Sequence, residues 1–92
     1  METTTKNLTE VDQILSKPYR LIVHNDDFNT FNHVIDCLMS VCKHTQEQAE
    51  QNSHIIHFRG YSEVKYGDKE TIEVMKEKLV FAGLSATMEL NT

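Results

Sequence analysis

No stretch of this sequence approaches the roughly 18 consecutive apolar residues of a membrane span, and basic residues are outnumbered, 9 against 14 acidic, for a net charge of −5. The first absence argues against a membrane-inserted helix. The second argues against binding to a phosphate backbone, which needs clustered Lys and Arg. The opening Met1-Glu2-Thr3-Thr4-Thr5 has neither the basic nor the apolar region of a signal peptide, so a cytoplasmic location is expected. Cysteine is scarce. Cys37 and Cys42 are the only two, too few for a disulfide scaffold. Five residues apart on a helix they point about 140° from one another, and C-x4-C is not a common zinc spacing. Both are expected to be reduced, with Cys42 semi-exposed. No internal repeat or low-complexity segment occurs, and 92 residues leave room for one small domain.

What is present falls into two parts. Residues 1–17 are rich in Thr, Asn, Glu and Lys and stop before Pro18. Val11, Ile14 and Leu15 could form one amphipathic turn after Thr9, but a lone turn is marginal in water, so this segment reads as a flexible tail. Residues 18–92 read as the folded domain, carrying −4 of the charge (7 basic, 11 acidic). Tyr19 to His24 is expected to be a central strand, apolar on both faces. A helix capped by Asn29 or Thr30 follows, with Phe31, Val34, Ile35, Leu38, Met39 and Cys42 as its core stripe. Thr45 and Gln48 form a capping box for a polar second helix, whose only apolar points are Ala49, Ile55 and Ile56 and which ends near Gly60. Ser62 to Tyr66 alternates as a half-exposed strand. Asp68 can cap a third helix with Ile72, Met75, Leu79 and Ala82 inward, closed by Gly83. Leu84 to Leu90 alternates again. The expected fold is a small α/β sandwich, β-α-α-β-α-β, with three strands and all helices on one face.

Asn25-Asp26-Asp27 is the group of residues most in need of a chemical account. Two adjacent carboxylates directly after an apolar strand repel one another and call for a cation or hydrogen-bond donors. A turn leading into a helix N-terminus would also favour them. Glu50, His54 and His57 share helical spacing and could hold a metal with Asp26 or Asp27, but no signature such as H-E-x-x-H is present. A domain this small offers little wall for an enclosed catalytic site.

Asn25-Asp26-Asp27-Phe28-Asn29-Thr30, Val34-Ile35-Asp36-Cys37-Leu38, Gln48-Ala49-Glu50 and Ile55-Ile56-His57-Phe58-Arg59-Gly60 together resemble the ClpS adaptor family over residues 18–92. The resemblance implies a non-enzymatic, cofactor-free adaptor. Such an adaptor binds proteins whose first residue is Leu, Phe, Tyr or Trp and hands them to a Clp-type AAA+ unfoldase. It further implies that Asn25, Asp26 and His57 grip the substrate's α-amino group, with Asp27 as a supporting charge. Phe31, Val34, Ser53, Ile56 and Leu84 would line the side-chain pocket, with Phe31 and Ser53 standing where many members carry Met. Phe28, Asn29 and Glu70 match positions near the unfoldase contact. A basic position expected on the third helix reads Met75 here. The tail would take part in delivery. Two other readings remain open. One is a small α/β interaction domain without amine specificity, an architecture shared by the C-terminal domain of the ribosomal stalk protein. The other is a metal-binding or hydrolytic domain using Asp26, Asp27, His54 and His57.

Overall fold

The computed structural model describes residues 17–91. Its elements run β1 (Tyr19–His24), α1 (Phe31–Cys42), α2 (Gln46–Arg59), β2 (Tyr61–Gly67), α3 (Lys69–Phe81) and β3 (Ser85–Leu90). This is the expected β-α-α-β-α-β order. The sheet is ordered β2-β1-β3 and antiparallel throughout, so β1 is central. The expected tail, with its Val11–Leu15 turn, lies outside the described residues apart from Lys17. Among the described residues no helix is long and apolar enough to cross a membrane.

Alternation along the strands decides which face is covered. Leu21 and Val23 of β1, Val64 of β2 and Ala86 of β3 join Leu38, Ala49, Ile56, Ile72 and Leu79 from the three helices in one core. Leu21, Leu38, Ile72 and Leu79 are wholly buried, each contributing about 1.5–3 kcal/mol by burial. Ile22 faces the other side and is nevertheless buried. The polar and aromatic side chains of Arg20, His24, Tyr61, Glu63 and Glu89 surround it. The β1–β2 pairing slips by one residue between Leu21, opposite Lys65, and Ile22, opposite Glu63.

The helix ends follow local chemistry. Thr30, not Asn29, caps α1, its side chain accepting from the His33 N–H. Thr45 and Gln48 form the full reciprocal capping box of α2, and Asp68 caps α3 by accepting from the Thr71 N–H. Gly60 closes α2 in the left-handed region, at φ +101°.

Three burial expectations need correction. Cys42 is wholly buried rather than semi-exposed, because the apolar stripe of α1 persists to its last residue and β2 reaches over it. The Lys65 Nζ donates to the Cys42 carbonyl at 3.0 Å. Burial pushes the Cys42 thiol up to about 11. Phe31 and Met39, placed on the core stripe of α1 from sequence, are exposed. The two cysteines are not bonded to each other.

Candidate functional site

The residues after β1 are held in a tight, side-chain-built loop. The Asp26 Oδ1 accepts from the backbone N–H of Phe28 and of Asn29, both at 2.9 Å, and its Oδ2 accepts from the Asn29 side-chain amide at 2.7 Å. The same amide donates to the Gly83 carbonyl at 2.9 Å, tying the loop to the α3–β3 turn. Burial, the largest single influence, would raise the Asp26 pKa. The hydrogen bonds from the Asn29 backbone, the Phe28 backbone and the Asn29 side chain together outweigh it and hold the carboxyl below its ordinary value. Asp26 is therefore an anion at neutral pH.

The loop is fixed to α2 as well. The Asn25 N–H donates to the Gly60 carbonyl at 2.8 Å, which brings the end of β1 against the last turn of α2, where His57 stands. Among the described residues, the Asn25 side-chain amide, the Asp27 carboxylate and the His57 ring take no hydrogen-bond partner. Asp26 has three of about four acceptor positions filled. Two acidic side chains, one amide and one imidazole thus stand together with capacity to accept hydrogen bonds.

They open onto one cavity of about 300 Å3, lined by Asn25, Asp26, Asp27, Asn29, Phe31, Val34, Ser53, Ile56 and His57. Of the nine residues predicted for amine binding and pocket, the structure gathers eight around this cavity. Leu84 is the exception. It packs in the core at 4% exposure and is not part of the lining. Val34 and Ile56 form apolar wall, and the Phe31 ring is braced by His54, with ring centroids 4.8 Å apart. His54 packs in turn near Phe58 and does not line the cavity. Among the described residues no group of three or more His, Cys, Asp or Glu side chains is placed to hold a metal ion.

Ser53 is the unusual member of the lining. It is 2% exposed, and its hydroxyl is buried without a hydrogen-bond partner. An unsatisfied buried hydroxyl costs about 1–3 kcal/mol, and a serine on a helix ordinarily avoids that cost by bonding back to a carbonyl.

The residues expected at an unfoldase contact are not brought together. Phe28 is 93% exposed beside the loop. Asn29 is half-buried and engaged with Asp26 and Gly83, so it serves as a strut and as cavity wall. Glu70 lies in the first turn of α3, whereas Asn29 meets the turn beyond the other end of that helix, about 16 Å away by helix rise. Around Glu70 a shallow groove is lined by Val41, Lys43, Thr71, Val74, Met75 and Lys78. Sequence reasoning missed the two struts, Asn29 and the Gly60 carbonyl. The Asp26-x-x-Asn29 spacing carries a local signal for the first. The second depends on the chain returning through α2, which no local pattern reports.

Comparison with known proteins gives a consistent picture. The family model described as "ATP-dependent Clp protease adaptor protein ClpS" matches residues 15–87. The ATP-dependent Clp protease adapter protein ClpS of Thermosynechococcus vestitus is 41% identical over 68 residues, covering 73% of this chain and 72% of that protein. The ClpS of Synechococcus elongatus is 36% identical over 90 residues, covering 97% and 95%. Among solved structures, Agrobacterium tumefaciens ClpS2 bound to L-phenylalaninamide superposes with a TM-score of 0.75 at 22% identity, over 83% of this chain and 99% of that one.

Proposed function

The chain belongs to the family of ATP-dependent Clp protease adaptor proteins, ClpS, and from that premise we propose that it selects substrates by a free N-terminal amine joined to a bulky hydrophobic first residue, Leu, Phe, Tyr or Trp. As a member of the family it is an adaptor for a Clp protease and not an enzyme. The single observation that supports the finer reading is the two-ended cavity. Hydrogen-bond acceptors and negative charge stand at the loop end, and Phe31, Val34 and Ile56 provide an apolar wall.

An α-amino group has a pKa of about 7.7–8.0 and offers three donors when charged. In this reading the Asn25 side-chain oxygen, the remaining acceptor position of Asp26 and the unprotonated nitrogen of His57 receive them, and Asp27 adds field without direct contact. Hydrogen bonds to a charged group contribute about 1.5–3 kcal/mol each, and burying a Leu or Phe side chain contributes about 1.5–3 kcal/mol. Two or three such terms, less the ordering cost, correspond to dissociation constants of about micromolar. That ligands of this kind suit the fold is supported by the phenylalanine amide bound to the Agrobacterium protein.

Delivery is assigned to a cytoplasmic Clp-type AAA+ unfoldase, contacted through Phe28, Asn29 and Glu70, with residues 1–17 engaging it. Removing residues 1–17 is expected to leave peptide affinity unchanged and to slow degradation, and a loss of affinity would contradict that division of labour. The binding reading is tested by fluorescence anisotropy with peptides that differ only at residue one. Leu, Phe, Tyr and Trp peptides should bind, while Ala and Glu peptides should bind at least about 10-fold more weakly, the loss of one buried side chain. Equal binding of all six would overturn it.

A further inference from the structure

We infer that Ser53 makes this adaptor prefer a hydroxyl-bearing aromatic first residue, tyrosine, over phenylalanine and leucine. The inference rests on the amine-and-pocket reading above and assigns the side-chain selectivity within it. Among the residues lining the cavity, every polar side chain but one belongs to the Asn25–Asn29 loop or to His57. The exception is Ser53, and its Oγ is buried without a partner. Its neighbours in the lining, Phe31, Val34 and Ile56, have no side-chain group with which to pair it.

The placement fits a phenol. Ser53 and His57 are one turn apart on α2, about 6 Å along the axis. That is close to the reach of a tyrosine from its α-amino nitrogen to its phenolic oxygen. With the amine held at Asn25, Asp26 and His57, a tyrosine ring lying along the Phe31 and Val34 wall brings its hydroxyl toward Ser53. Both groups are at once donors and acceptors, so either can supply the proton. A phenylalanine or leucine fills the same volume and leaves the Ser53 hydroxyl unpaired, and a site containing a buried polar group discriminates against the ligand that cannot satisfy it.

The test is a two-by-two comparison with the full chain: wild type and Ser53→Ala, each titrated with free-amine peptides that begin with Tyr or Phe and are otherwise identical. One neutral hydrogen bond predicts that wild type binds the Tyr peptide about 5- to 10-fold more tightly than the Phe peptide. In Ser53→Ala the two should fall within about twofold. A wild-type ratio near one, or the same ratio in both proteins, overturns the inference while leaving the amine reading intact. Absence of binding by every free-amine peptide overturns both. Alanine favours helix more than serine does, and circular dichroism of the variant checks its fold. Should it not fold, Ser53→Cys replaces it, a near-isostere with weak hydrogen bonding, and the same collapse of the ratio is required.

Discussion

Asp26 carries two demands that pull in opposite directions. Its carboxylate holds the loop by accepting from Phe28 and Asn29, and as an anion it contributes the charge that an ammonium group would meet. The hydrogen bonds keep its pKa below the ordinary value despite partial burial. A depressed folded-state pKa means that the stabilisation is fully present above the unfolded value, near 3.9, and is lost as pH falls through the lower folded value. Asp26→Ala should therefore lower stability by about 1–3 kcal/mol at pH 7. The gap between wild type and variant should narrow in urea denaturation as the pH is lowered through that range, because only the charge-dependent part is lost. A gap that stays constant as the pH falls would show that the charge is not what stabilises the loop. Ser53 shows the complementary case, a polar group with no partner in the protein, and such exceptions point toward ligands.

At the scale of elements, the site exists because α2 stops where it does. Gly60 takes φ +101° and its carbonyl receives the Asn25 N–H. A Cβ there would meet nothing within 4 Å, so Gly60→Ala costs only the left-handed backbone, about 1–2 kcal/mol. It should lower the melting temperature and also weaken peptide binding, because relaxing that backbone moves Asn25 away from His57. A stability loss of that size with unchanged affinity would separate the helix end from the site.

Much of this element structure was legible beforehand, for stated reasons. Thr45 with Gln48, Asp68, Gly60 and Gly83 are local signals that need no knowledge of the rest of the chain. Phe31, Met39 and Cys42 depart from the sequence expectation because burial along a stripe depends on how far the neighbouring elements reach. Asn25, Asp26, Asp27, Phe31, Val34, Ser53, Ile56 and His57 are legible only through a family resemblance, and the fold brings them to one cavity. Neither the unpaired state of Ser53 nor the burial of Leu84 away from that cavity could be read from spacing, since both depend on packing between separate elements.

For the molecule as a whole, the simplicity of the fold suits an adaptor. With no disulfide, a three-stranded sheet and three helices bury enough apolar surface to hold one end of the sheet rigid. There the β1–α1 loop, the end of α2 and the α3–β3 turn are tied together by the Asn25–Gly60 and Asn29–Gly83 hydrogen bonds. Exposed Phe28 lies beside that end, while Glu70 stands at the far end of α3, so an unfoldase that touches both would have to span the helix. The net charge of −5 argues against a basic nucleic-acid surface, and two of the negative charges line the proposed amine site.

The central claim is that this site reads a charged amine. The most direct measurement is calorimetric titration with one Leu-initiated peptide in two forms, free and N-acetylated, at pH 7. Acetylation removes the charge and two of the three donors, and the account predicts binding of the free form near micromolar and of the acetylated form at least about 100-fold weaker, two charge-assisted hydrogen bonds. Equal affinity for the two peptides would contradict it.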